Sequence, residues 1–166
     1  THDSDSPRMQ IMPFYRSNGP RSYLGWGKSH GLGTGLGLIM GAKLAKPDKF
    51  CVNFMGDAAF GMTGLDFETA VRSNIPICTV VLNNDDMAVE VPHMELSNNR
   101  FGSRALYGRY SDMARAMGGW SERIDDPADV GPALMRARRA TEEGQSALLE
   151  FATSSEQAKS NLRAFS

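Results

Sequence analysis

Residues 50–84 read FCVNFMGDAAFGMTGLDFETAVRSNIPICTVVLNN, and this stretch decides the fold. Phe50 to Met55 is a short apolar run of the kind that forms a buried strand, and Ile77 to Leu82 is a second, richer in β-branched residues. Between them, Leu65 to Ser73 puts Phe67, Ala70 and Val71 on one helical face, and Asn74 and Pro76 stop the helix. Strand, helix and strand at this spacing make a βαβ unit of roughly 30 residues. Asp57 follows the first strand and Asn84 the second, 27 positions later. The return helix therefore brings both residues to the same edge of the sheet. Ligands of open parallel sheets bind beyond the carboxyl ends of the strands. A carboxylate and an amide oxygen at that edge suit a hard cation such as Mg²⁺, which shares its six oxygen ligands among side chains, phosphates and water. Taken alone, Asp57 also reads as an ordinary turn-forming aspartate.

Working outward, Gly31, Gly33, Gly35, Gly37 and Gly41 stand in and around a helix predicted from about Gly33 to Ala45, with Leu36, Ile39, Met40 and Leu44 at helical spacing. Glycine costs about 1 kcal/mol at each interior helix position. So many of them imply close approach of the backbone to a ligand or a neighbouring helix. A loose linker is the bland alternative. Residues 1–20 read as a polar lead-in broken by Pro13, Gly19 and Pro20, and 85–107 as polar and irregular. A further alternation follows: helix near 109–117, strand near 120–124, helix near 128–143 and strand near 147–152, with a polar tail over 154–166. The fold class expected is α/β, a parallel sheet with helices on both faces, in a domain spanning 21–153.

The chain has 166 residues, 41% hydrophobic and 22% charged, with a formal net charge of −1. That is the composition of one globular domain. It gives no basic surface for nucleic acid or an anionic membrane, and no apolar run near the roughly 20 residues of a membrane helix. Cys51 and Cys78 lie in apolar runs and read as buried thiols, which suits a reducing, cytoplasmic setting. Arg136, Arg138 and Arg139 read as a solvated helix face.

Gly56-Asp57-Ala58 followed by Asn83-Asn84 resembles the two-part metal and cofactor motif of thiamine diphosphate (ThDP) enzymes, Gly-Asp-Gly and then Asn-Asn after about two dozen residues. Ala58 replaces the third glycine, a variant that also occurs in the acetolactate synthase group. Phe60, Met62-Thr63, Thr69 to Arg72, Asn74, Pro76 and Val80 to Leu82 look like that group. So do Gly31 to Gly33 and Gly41 to Pro47 upstream, and Ala114 to Gly119 and Ala147 to Glu150 downstream, so the likeness covers roughly 20–152.

The resemblance implies that Asp57 and the Asn84 side chain bind Mg²⁺, with the backbone carbonyl of Asp86 completing the protein's ligands. Backbone N–H groups of Gly56, Ala58 and Ala59 would meet the diphosphate. Ala59 stands where many relatives carry Ser, which removes one hydroxyl contact. Leu32 matches the bulky residue that holds the cofactor bent, and the backbone around His30 and Leu32 would touch the aminopyrimidine. A packed core leucine and a solvated loop histidine are the plain alternatives. The cofactor is the electron sink, and the protein supplies binding, orientation and electrostatics. In the family an activating glutamate sits on a separate pyrimidine-binding domain and acts across a subunit interface. No such domain is legible here, and Glu68 on the crossover helix and Glu90 in the loop are assigned no such role. The implied assembly is a homo- or hetero-oligomer, with the opening strand and first phosphate loop expected ahead of Thr1. The chain is therefore expected to be a C-terminal piece of a larger enzyme and inactive alone.

Met87-Ala88-Val89-Glu90 departs from the commoner pattern after Asn-Asn, so the sequence leaves the substrate open. A 2-oxo acid decarboxylating or carboligating enzyme resembling acetolactate synthase is the first reading. A small diphosphate-binding subunit of a decarboxylase for sulfonated or phosphonated oxo acids, and a non-catalytic cofactor-binding module, are the others. An unrelated phosphate-loop protein is disfavoured, because no Gly-x-x-x-x-Gly-Lys-Ser/Thr occurs and no strand is legible before Gly31.

Overall fold

Four parallel strands in the order β1-β2-β4-β3 organise the computed structural model, which describes residues 1–4, 6–25 and 31–155. They are β1 (Val52–Gly56), β2 (Cys78–Asn83), β3 (Trp120–Ile124) and β4 (Ala147–Ala152). β2 and β4 sit in the middle and are almost wholly buried, as strands covered on both faces must be. Their alternation sorts the core into two layers. Met55, Val81 and Leu148 face Leu36 and Ile39 of α2 (Thr34–Ala45), Ala59 and Phe60 of α3 (Asp57–Thr63), Phe67 of α4 (Asp66–Arg72) and Ala114 of α6 (Tyr110–Ala116). Val80 and Leu149 face the opposite way, onto Ala133, Ala137 and Ala140 of α7 (Val130–Glu142). The expected α/β sheet with helices on both faces is what the chain forms.

Three stretches hold elements not expected from the sequence. α3 begins at Asp57 itself, so the segment read as one helix over 65–73 is preceded by a first short one. Gly56 ends β1 extended (φ −81°, ψ 166°) and serves as the N-cap of α3, so the strand enters the helix with no intervening loop. The segment 85–107, read as irregular, contains a 3₁₀ turn at Val91–His93 and α5 (Glu95–Phe101). Its polar composition hid a helix that buries none of its residues.

The third is at the start, in the segment read as a polar lead-in. Thr1 to Asp3 run alongside β1, with Asp3 N donating to Phe54 O at 2.6 Å and a parallel bridge between His2 and Phe54. α1 (Ser6–Ile11) follows and packs on β1. A strand-like stretch, a turn at Ser4 and a helix thus stand at the sheet edge, where the sequence reading looked for such a unit ahead of Thr1.

Two glycines of the 31–41 run, Gly33 and Gly35, answer to protein neighbours, whereas a Cβ at Gly31, Gly37 or Gly41 would meet nothing within 4 Å. Asp3, fully buried, accepts from Gly33 N at 2.9 Å and Gly35 N at 2.8 Å, capping the exposed donors at the start of α2. A Cβ on Gly35 would lie 2.6 Å from Asn53 Oδ1. Gly33 is left-handed (φ 91°), and a Cβ there would meet Thr63 Cγ2 at 2.3 Å. Among the described residues, no helix is long and apolar enough to cross a membrane.

Candidate functional site

A cavity of about 170 Å³ opens at the carboxyl edge of the strands. Its floor is Gly56, Asp57, Ala58 and Ala59, where β1 passes into α3. Asn84, Asp86 and Met87 to Glu90 form one wall, Leu32 another, and Ser4, Ser6 and Gln10 a third, closed off by Thr153 and Ser154 after β4. The structure therefore brings Leu32, Gly56, Asp57, Ala58, Ala59, Asn84 and Asp86 together. His30 lies outside the described residues.

Asp57 is buried at the first position of α3. Its Oδ1 accepts from Ala58 N at 2.8 Å and its Oδ2 from Asn84 N at 3.2 Å. Burial pushes its carboxyl above the usual range, against the pull of backbone N–H groups of Ala58, Asn84, Asp85 and Asp86. Those neighbours carry no full positive charge. A buried carboxylate in that condition fits a cation. Asn84 is half-buried, and its Oδ1 accepts from Asp86 N at 3.1 Å, which fixes the amide's orientation beside Asp57. No group of three His, Cys, Asp or Glu converges among the described residues. A cation here would draw on a carboxylate, an amide oxygen, a backbone carbonyl and the ligand's own oxygens, the donor set of Mg²⁺.

Ala58 N–H, expected to face the diphosphate, is turned to Asp57 Oδ1. Leu32 is half-buried, packs against the core below α2 and lines the cavity. The Asp86 carboxylate pairs with Arg104. Glu68 pairs with Arg72 on the surface of α4, away from the cavity, whereas Glu90 lines it. Cys78 is buried with its thiol pushed up to about 12 by desolvation, and burial raises half-buried Cys51 as well.

Sequence reasoning missed Ser4, Ser6, Gln10, Thr153 and Ser154 as cavity residues. One signal was available: Ser6-Pro7 is a helix start, and small polar residues before a helix N-terminus mark a ligand-facing loop. Asp3 and Arg104, which hold the site from behind, carried no local signal, and the sequence marked Asn83 and Glu150 only as parts of the family likeness, not as a pair, because each acts over a long sequence separation.

A parallel α/β domain with an oxygen-rich cavity at its carboxyl edge is the class these features define. Residues 6–151 match the family described as "Thiamine pyrophosphate enzyme, C-terminal TPP binding domain", and the chain belongs to it. Thiamine diphosphate is the cofactor of that family's domain. The chain is 36% identical over 129 residues to the acetolactate synthase large subunit IlvG of Mycobacterium tuberculosis, covering 71% of this chain and 22% of that protein. It is 35% identical over 141 residues to sulfoacetaldehyde acetyltransferase of Alcaligenes xylosoxydans xylosoxydans, covering 83% of this chain and 23% of that protein. The fold is shared, at a TM-score of 0.64 and 22% identity, with the thiamine diphosphate-dependent 4-hydroxybenzoylformate decarboxylase of Rhodococcus jostii RHA1, over 76% of this chain and 24% of that one. The chain thus spans under a quarter of the length of these relatives.

Proposed function

We propose that this chain is the diphosphate-binding part of an enzyme that decarboxylates or ligates 2-oxo acids, in the manner of acetolactate synthase. The observation that carries this is buried Asp57, held by backbone donors alone and faced by the oriented Asn84 amide at the carboxyl edge of the sheet. Asp57, Asn84 and the Asp86 carbonyl would hold Mg²⁺. Gly56, Ala58 and Ala59 would accommodate the diphosphate at the start of α3, with the Ala58 N–H already taken by Asp57. Leu32 and the backbone near it, with His30, would support the aminopyrimidine side. Bound there, thiamine diphosphate supplies an electron sink for breaking and making carbon–carbon bonds next to a carbonyl. The chain's own residues bind and orient it and keep water from its buried end.

The activating glutamate would come from a pyrimidine-binding domain or subunit, in a cytoplasmic homo- or hetero-oligomer. The likeness to a sulfoacetaldehyde acetyltransferase supports a second reading, with a sulfonated substrate.

The test is calorimetric titration of the chain with thiamine diphosphate and Mg²⁺, together with a 2-oxo acid decarboxylation assay before and after adding a pyrimidine-binding domain. Metal-dependent binding, with turnover only on complementation, is the expected result. Absence of binding, or full turnover by the chain alone, would overturn the proposal.

A further inference from the structure

Immediately after the proposed metal ligands, the chain is tied down at a second point. Asp86 is buried, and its carboxylate receives two prongs from Arg104: Nε to Oδ1 at 2.9 Å and Nη2 to Oδ2 at 2.5 Å. The Ser155 hydroxyl donates to the same Oδ2. Backbone bonds reinforce the pair. Met87 N donates to Arg104 O at 2.9 Å, Leu106 N donates to Asp85 O at 3.0 Å, and Asp86 bridges Ala105 in antiparallel fashion. Three segments are joined here: the cavity wall that follows Asn84, the return stretch near Arg104, and the residues after β4.

Met87, Ala88, Val89 and Glu90 line the cavity directly beyond this junction. An exposed ion pair would matter little. This one is anchored in a buried carboxylate, which loses much more when its partner is removed. The planar guanidinium fork also fixes direction, which a lysine ammonium does not. The Asp86 carboxylate is engaged by Arg104 and Ser155, so the pair acts on position and not on reacting atoms.

We propose that the Arg104–Asp86 pair positions the Met87–Glu90 wall and thereby sets which 2-oxo acid side chains the cavity admits. The inference rests on the functional reading above. The test uses the full-length protein carrying Arg104→Met or Arg104→Lys, with Arg115→Met as a control, since Arg115 pairs with Asp112 on the surface of α6. Amide hydrogen exchange over 85–107 is followed without cofactor. Affinity for thiamine diphosphate with Mg²⁺ is measured by calorimetry, and kcat/KM is compared for pyruvate and 2-oxobutanoate.

Arg104→Met should speed exchange at the Met87 and Leu106 N–H groups about tenfold and move the kcat/KM ratio of the two acids toward one, with cofactor affinity held within about threefold. Arg104→Lys should restore exchange only in part, and Arg115→Met should match the unmodified protein. Unchanged exchange in Arg104→Met would overturn the proposal, as would faster exchange with an unchanged ratio. Failure of the unmodified protein to bind thiamine diphosphate would instead sink the functional reading, and the exchange arm, which needs no cofactor, would still decide whether the pair holds the wall.

Discussion

Asn83 on β2 donates its amide N–H to Glu150 on β4 at 2.8 Å, and that carboxylate has no exposure to solvent. Glu150 also accepts from Ser111 N at 2.8 Å and from the Arg123 guanidinium at 2.5 Å, so one buried charge ties β2, β3 and the first turn of α6 together. Asn83 Oδ1 in turn accepts from Asp85 N at 3.2 Å. A carboxylate on one strand thereby fixes the residues on either side of Asn84.

Glu150→Gln should destabilise the protein by about 2–4 kcal/mol, through loss of the charge shared by three donors. Burial works against the ionised form of Glu150, but the bonds from Ser111 and Asn83 and the charge of Arg123 outweigh it and leave the carboxyl below its ordinary value. A depressed folded value contributes stability that is present above the unfolded pKa and lost as pH falls through the folded one. The gap between wild type and variant in urea unfolding should therefore be full at neutral pH and close on the acid side of about pH 4. A gap independent of pH would show that packing, not charge, is what the substitution removes.

Asp57→Asn should have opposite effects on binding and folding. Metal-dependent affinity for thiamine diphosphate should fall about a hundredfold or more. The cofactor-free protein should melt at the same temperature or higher. The sign follows from the raised carboxyl of Asp57: the native state holds its proton longer than the unfolded one, so stability declines as pH rises from the ordinary carboxyl range through the folded value. Asn removes that cost. Calorimetric titration and thermal melts between pH 4 and pH 8 read both arms, and retained affinity would refute the ligand assignment.

Leu32→Ala should lower stability by about 1–3 kcal/mol, toward the low end for a large-to-small change because the side chain is only half-buried. Its larger effect should be on proton exchange at the thiazolium carbon of bound cofactor in the complemented enzyme, slowed about tenfold or more through lost orientation. Diphosphate affinity should change less. Exchange at the wild-type rate would reduce Leu32 to a packing residue.

Gly33→Ala should cost about 1–3 kcal/mol, combining a left-handed backbone with a Cβ 2.3 Å from Thr63 Cγ2. Thr63→Ser deletes that methyl and keeps the hydroxyl that donates to Gly33 O at 3.0 Å. The double variant should recover only the methyl's part of the steric share, because a Cβ there would still lie 2.8 Å from the retained Oγ, and a double-mutant cycle in urea reads that part. Strict additivity of the two single changes would argue that the contact is relieved by a shift of α2.

What the sequence made legible was whatever its periodicity or its spacing encoded. The runs ending at Met55 and Leu82 gave the parallel pair, and Asp57 and Asn84 met at one edge because a βαβ unit must return there. α3 was missed because it starts at the ligand residue itself, with too few residues to show a period. α5 was missed because it buries no face and so has no apolar stripe. Asp3 was passed over as part of a polar lead-in, although it reaches 32 residues ahead to cap α2 at Gly35. Side chains that brace a site from across the fold leave no mark near the motif they support.

The strand order β1-β2-β4-β3 has a consequence in time. Asn83 and Glu150 are 67 residues apart, and β3 is made between the two strands that finally lie side by side. At roughly 5–20 residues per second, a nascent chain carries β2 for about 3–13 s with one flank paired to β1 and the other open. Through that interval Asn83 has no carboxylate to meet, and the loop that carries Asn84 lacks the brace that Glu150 supplies. Chains halted on the ribosome before Glu150 emerges should be cut by protease within 84–107, and chains released past Ala152 should resist.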